Sequence, residues 1–267
     1  MNDTPPQKPR VGLFITCLVD LMRPSIGFAA LRLLARAGAE VVVPDQQTCC
    51  GQPAYNSGDT KNARALAKDV IEAFADFDHV VVPSGSCGGM IAHHYVKLFA
   101  DDETWRAKAE DLAARTFELT TYLVDHLDLN DTGAVFDGSA TYHDSCAGLR
   151  ELGVKKQPRH LLATVDGLTL NELEESEACC GFGGLFSIKY PDVSGAIVDK
   201  KAVRVEAAKS DVLLGGDLGC LMNMAGKLKR RGSKVRVFHI AEVLANMTDG
   251  PAIGEATLET AGQDRDA

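Results

Sequence analysis

Short apolar runs alternate with longer amphipathic stretches from residue 11 onward, and the alternation occurs twice along the chain. VGLFIT (11–16) reads as a strand. Across residues 26–37 apolar side chains recur at helical spacing, and Gly38 follows as a stop signal. VVVP (41–44) is a second strand, 59–77 an amphipathic helix and VVVPS (80–84) a third strand, with a helix beginning around Cys87. The second half gives the strand ATYHDS (140–145), a helix near 158–165 and the strand LTLNEL (168–173). A long helix over 192–209, the strand VLLGG (212–216) and a helix through 224–229 complete it. Strands that alternate with helices imply right-handed crossovers and parallel sheets. The pattern predicts an α/β fold of two modules, each a small parallel sheet flanked by helices.

The two halves are copies. Cys17 is separated by 31 residues from Cys49-Cys50-Gly51, and 36 more lead to Cys87. Cys146 is separated by 32 residues from Cys179-Cys180-Gly181, and 39 more lead to Cys220. The flanking sequence repeats as well. VGLFITC matches GSATYHDSC, DHVVVPSGSCGG matches SDVLLGGDLGCLM, and FELTTYLVDHL resembles VFHIAEVLANM. Self-similarity at a period of about 130 residues indicates duplication. The expected division is a disordered N-terminus (1–9), a first module (10–130), a second module (131–248) and a flexible tail (249–267). The charged stretch 101–115 has no counterpart in the second half and reads as an extra exposed helix.

Cysteine usage turns this architecture toward chemistry. In a parallel sheet all strands end on one edge, where open α/β folds place their ligands. Cys17 and Cys87 follow strands directly, and the Cys-Cys-Gly triplet lies in the loop after VVVP. Four sulfurs of each half therefore converge at the C-terminal edge of the strands from three loops remote in sequence. Cys87 and Cys220 fall near helix N-termini, where partial positive charge favours thiolate. Four thiolates suit zinc or an iron–sulfur cluster. No C-x-x-C pair occurs, and adjacent cysteines strain a mononuclear tetrahedron while reaching separate irons of a cluster, which favours iron–sulfur. Vicinal cysteines also fit a redox-active disulfide. His143, in YHDSC, fits a metal ligand, a donor to sulfur or a satisfied turn histidine, the last two together fitting better. His93 and His94 read as helix-surface or packing residues. GFGG (181–184) lacks the order of a dinucleotide-binding loop, and no Walker A motif or nucleophile elbow is present.

Composition narrows the setting. The chain has 267 residues, 45% hydrophobic, enough for one large core or two smaller ones. The net charge of -9 argues against nucleic acid or an anionic membrane surface as the main partner. No apolar run is long enough for a membrane span, so direct membrane insertion is not expected. The start MNDTPPQKPR is polar and lacks the parts of a signal peptide. The expectation is a cytoplasmic protein whose cysteines serve as metal ligands rather than structural disulfides.

At TCLVD (16–20), TCCGQPAYNSGD (48–59), PSGSCGGMI (83–91), YHDSCAGLRELGV (142–154), CCGFGGLFSIKYP (179–191) and GDLGCLMNMAGKL (216–228) the chain resembles the cysteine-rich CCG domain family. That family includes the B subunit of heterodisulfide reductase and iron–sulfur subunits of glycolate oxidase and anaerobic glycerol-3-phosphate dehydrogenase. Within it the chain is most similar to the lactate-utilisation branch. The resemblance implies an electron carrier that works with an iron–sulfur protein B and a protein C in oxidising L-lactate to pyruvate. It implies Cys17, Cys49, Cys50 and Cys87 as one cluster-binding set, and Cys146, Cys179, Cys180 and Cys220 as the other. The general family pattern ends in CxxC, but Met90 and Asn223 stand at its last position here. The cofactor is then a 4Fe–4S cluster, one or two per chain, a site with a non-cysteine ligand, or zinc in one half. Rival readings are direct heterodisulfide or thiol–disulfide reduction, and a zinc-stabilised scaffold subunit.

Overall fold

A computed structural model describes residues 8–255. It contains two parallel four-stranded sheets. In the first, β1 (Arg10–Leu13), β2 (Glu40–Val42), β3 (His79–Val82) and β4 (Thr116–Glu118) lie in the order β2-β1-β3-β4. In the second, β5 (Val135–His143), β6 (Asp166–Leu170), β7 (Val212–Gly215) and β8 (Arg236–His239) lie in the order β6-β5-β7-β8. The register is continuous at the centre of each sheet: Val11, Gly12 and Leu13 pair with His79, Val80 and Val81, and Ala140 to His143 with Val212 to Gly215. The central strands β3 and β7 are apolar and buried almost throughout, as strands covered on both faces must be. The α/β duplication with cysteines beyond the strand ends is as the sequence predicts.

Helices cover both faces. Pro24–Arg36 begins with proline in its first turn and buries Ile26, Ala29, Ala30, Leu33 and Leu34. Thr60–Ala73 is capped by Asp59, whose carboxylate accepts the Asn62 N–H, and buries Ala63, Ala67, Val70 and Ile71. Glu103–Ala114, the segment without a counterpart, is exposed on one side only. Ala109 and Leu112 are buried, and the Trp105 ring stacks on Phe99 with centroids 5.9 Å apart.

The hydrophobic core is not divided between the copies. One cluster joins Val11, Leu33 and Tyr122 of the first half to Leu161, Leu214 and Phe238 of the second. Val19 and Ile26, from the first half, complete the core under Val198, Leu213 and Met224 of the second. The contacts are reciprocal. Pro24–Arg36 packs on Ile240–Leu244, and its counterpart Lys156–Leu162 packs on Leu119–Thr121 and the π-helical turn Tyr122–His126. A buried ion pair fastens one of these contacts. Glu242 accepts from Arg23 Nε at 2.8 Å and from the Ser25 hydroxyl at 2.7 Å, while its other oxygen takes the His239 N–H.

Residues 1–7, from the expected disordered N-terminus, and 256–267, from the expected flexible tail, lie outside the described residues. The described end of that tail is packed: Ile253 N donates to Val237 O at 2.8 Å, and Ala252 and Ile253 are buried.

Candidate metal centre

Each half builds its cysteine site from the same parts. β1 ends at Leu13, and the extended Thr16 caps the helix Cys17–Met22, its hydroxyl accepting the Val19 N–H. Cys17 is the first residue of that helix. In the second half β5 ends at His143 and Ser145 caps Cys146–Arg150, accepting the Gly148 N–H. Cys87 and Cys220 each sit in the third position of a helix whose N-cap side chain accepts the cysteine's own N–H, from Ser84 at 3.3 Å and Asp217 at 3.5 Å. The vicinal pairs end in glycines with left-handed φ, Gly51 at 82° and Gly181 at 80°. A methyl group on Gly181 would lie 2.7 Å from the Ser194 carbonyl oxygen, so the triplet closes only with glycine.

The sulfurs meet as expected. In the first half the Cys17 thiol lies 3.8 Å from Cys49 Sγ, and the Cys50 thiol 3.4 Å from Cys87 Sγ. In the second half the Cys180 and Cys220 sulfurs lie within 4.8 Å of each other, and Cys146 and Cys179 are close enough to perturb each other's protonation. All eight are free thiols, and the 3.8 Å and 3.4 Å separations of the first half are well beyond the ~2.05 Å of a disulfide. Cys50, Cys180 and Cys220 are buried and Cys179 is exposed.

Crowding sets the protonation. Hydrogen bonds from Cys17 and Cys50 hold the Cys49 thiol down at about 2, and those from Cys146 and Cys180 hold Cys179 down at about 2. The same contacts, with burial, push Cys17, Cys50, Cys146 and Cys180 above the usual thiol range. Each set thus favours a single thiolate, Cys49 or Cys179, and deprotonating its neighbours as well needs a cation to hold the added charge. Backbone donors already point at the sulfurs: Gly51 N–H to Cys49 at 3.5 Å, Gly181 N–H to Cys179 at 3.3 Å and Phe182 N–H to Cys180 at 3.5 Å. Soft donors from three loops, aided by N–H···S bonds, fit a metal or an iron–sulfur group.

Several residues that hold these sites escaped the sequence reading. The Tyr95 hydroxyl donates to the Cys50 carbonyl at 2.8 Å, and Asn223 Nδ2 donates to the Cys180 carbonyl at 2.9 Å. Asn223 thus braces the vicinal loop, whereas Met90 is fully buried in the first half's core. Asp217 ties the centres together, its second oxygen accepting the Ser84 hydroxyl and the Ser86 N–H, both at 3.0 Å. A chain of hydrogen bonds therefore runs from Cys87 N–H through Ser84 and Asp217 to Cys220 N–H. The helix that begins at Cys17 also touches the one holding Cys220, and the helix that begins at Cys146 touches the turn holding Cys87. A cavity of about 130 Å³ is lined by Cys17, Cys49, Cys50 and Cys87 together with Phe182 and Asp217 of the other half.

His143 is not a satisfied turn histidine. It is 1% exposed, and neither ring nitrogen meets hydrogen-bond geometry, although the Ser176 backbone lies near enough to favour the protonated ring slightly. Its ligand nitrogen and the Cys180 and Cys220 sulfurs lie within 4.8 Å of one another. Burial holds its imidazole down at about 4, so it is neutral and able to donate a lone pair. His93 bonds the Glu151 carbonyl and His94 its carboxylate, in packing roles.

Known proteins share this construction. The cysteine-rich domain model CCG matches twice, over residues 11–92 and 140–225. The lactate utilization protein A of Geobacillus kaustophilus is 50% identical over 235 residues, covering 88% of this chain and 98% of its own. That of an Exiguobacterium species is 50% identical over 238 residues, covering 88% and 97%. A crystal structure of a hypothetical protein from Helicobacter pylori matches with a TM-score of 0.64 at 13% identity, over 99% of this chain and 54% of that one, a likeness of fold. Two domain copies, each with its cysteines gathered beyond a parallel sheet, and relatives aligned almost end to end place the chain in the CCG cysteine-rich domain family, beside the lactate utilization protein A sequences.

Proposed function

We propose that this chain is the iron–sulfur electron-transfer subunit of a complex that oxidises L-lactate to pyruvate. The observation that carries the reading is the convergence of eight free thiols into two sets at the strand ends. Cys17, Cys49, Cys50 and Cys87 hold one centre, and Cys146, Cys179, Cys180 and Cys220 the other. Bound there, 4Fe–4S clusters supply one-electron storage. Lactate yields two electrons and two protons on becoming pyruvate, and two such centres match that electron count. The lactate assignment draws on the names of the relatives.

The surroundings support a carrier over a catalyst. The cavity of about 130 Å³ at the first centre is below the ~300–1,000 Å³ of small-molecule sites, so it suits an inorganic group and leaves no room for a substrate beside it. The Ser84–Asp217 chain and the short contacts between cysteine-bearing helices bring the centres close. The chemistry on lactate then belongs to the partners, an iron–sulfur protein B and a protein C, in the cytoplasm. Among the described residues no helix is long and apolar enough to cross a membrane.

Anaerobically purified protein should be brown, contain iron and acid-labile sulfide, and lose visible absorbance on reduction. Cys17→Ser and Cys146→Ser should each lower the iron content by about half. A colourless, iron-free product after anaerobic reconstitution would refute the reading.

A further inference from the structure

The two centres differ at one position of the repeat. Three residues before the first cysteine of each set, where the central strand gives way to the cysteine loop, the first half has Phe14 and the second has His143. Phe14 is buried in the first half's core, with its ring 5.6 Å from that of Phe74. His143 is equally enclosed, but neither nitrogen makes a hydrogen bond of sound geometry, the nearby Ser176 carbonyl being taken by Lys201 and the Asp144 N–H, and one nitrogen lies beside Cys180 and Cys220. A buried imidazole with both nitrogens unpaired is costly, and native interiors seldom leave such groups without a use. The nearby charges are already engaged. The Asp144 carboxylate is held by Arg159 and Lys155, Asp217 by Ser84, Ser86 and the Cys220 N–H, and Lys201 donates to the Glu175 and Ser176 carbonyls at 2.8 Å each. None of them hydrogen-bonds the imidazole.

We propose that His143 is a ligand of the second centre, acting with Cys180 and Cys220 and with one of Cys146 and Cys179 as the fourth, so that one centre is ligated by sulfur alone and the other by imidazole and sulfur. The inference rests on the iron–sulfur reading for its redox consequence. Imidazole donors raise the potential of iron–sulfur centres relative to thiolate ligation. Lys201, a cation buried beneath the same loop, favours the added electron in the same direction. The second centre is therefore the more readily reduced, and electrons that enter at the first centre settle at the second.

The test is pulsed EPR of the dithionite-reduced, anaerobically reconstituted full chain, prepared with and without 15N-labelled histidine. A strong coupling from a directly bonded nitrogen, altered by the label and lost in His143→Phe, is expected. Potentiometric titration should show two midpoints in the parent protein, and the higher one should fall toward the lower in the variant. Reduced clusters without histidine-nitrogen coupling in the parent protein overturn the proposal, and this measurement stands even where the variant fails to fold. Absence of any cluster signal defeats the iron–sulfur reading instead. Cobalt(II) added to the metal-free protein then decides His143 alone: a paramagnetically shifted, exchangeable imidazole N–H signal that His143→Phe removes supports ligation, and its absence from the parent protein overturns it.

Discussion

Replacing Asp217 with alanine removes a helix cap and a connection between the two halves in one step. Its carboxylate is 4% exposed and accepts the Cys220 N–H, the Ser86 N–H and the Ser84 hydroxyl. Loss of the cap costs about 1 kcal/mol. The Ser86 N–H, left without its acceptor in a half-buried turn, adds about 1–3 kcal/mol. The Ser84 hydroxyl can rotate toward Ser86 Oγ, 3.2 Å away, and adds little. The total is about 2–4 kcal/mol, which for a chain of this size lowers the melting temperature by about 4–16 °C. Asp102 provides the internal control, since it caps Glu103–Ala114 through the Trp105 N–H at 3.2 Å and takes no part in the contact between halves. Asp102→Ala should cost the cap, about 1 kcal/mol, and a partly exposed ion pair with Arg64 at 3.5 Å that adds about 0–1 kcal/mol. Thermal unfolding of the reduced, metal-free protein followed by circular dichroism compares the two. Equal shifts would show that Asp217 does nothing beyond capping and would refute the link between the centres.

Glu118 should make stability depend on pH. Burial, set against hydrogen bonds from Thr120 and Thr121, raises its carboxyl to about 7. A folded value above the unfolded 4.5 means a contribution complete below about pH 4.5 and lost as pH rises through 7, about 3 kcal/mol in all. Urea unfolding at pH 5 and pH 8 should show this loss in the parent protein and not in Glu118→Gln. Gly181→Ala should deplete metal from the second centre while sparing the first, because its methyl group meets the Ser194 carbonyl at a left-handed φ; retention of full metal content would count against the glycine argument. Met90→Cys, which restores the family's CxxC in the first half, should leave metal content unchanged and lower stability by about 1–3 kcal/mol, since position 90 points into the core rather than the site. If the isolated chain reduces a disulfide and Cys179→Ser abolishes this, the exposed Cys179 acts directly on substrate rather than only as a ligand.

The eight cysteines were readable from sequence because duplication displays them twice, at matched spacing and after apolar runs that can only be strands. β1, β3, β5 and β7 were visible for the same reason. β4 and β8 were not, because TFE and RVFH are too short to show a period, although the repeat of FELTTYLVDHL in VFHIAEVLANM marked the place. Five-residue helices such as Gln52–Asn56 and Leu185–Lys189 carry too few apolar positions to register. The braces from Tyr95, Asn223 and Asp217 arise between loops distant along the chain, and no local pattern announces them. His143 could be singled out beside its cysteine, but only three dimensions show that both its nitrogens go unanswered.

The reciprocal packing of helices across the two halves has the form of the interface in a symmetric dimer, now enclosed within a single chain. In a dimer of identical subunits every substitution appears at both symmetry-related places, so a change that suits one site is imposed on its twin. Covalent fusion lifts that restriction. Phe14 and His143 occupy positions that a homodimer would have to fill alike, and here they have gone separate ways. Two sites carried on one chain can differ in this way, whereas sites on identical subunits cannot.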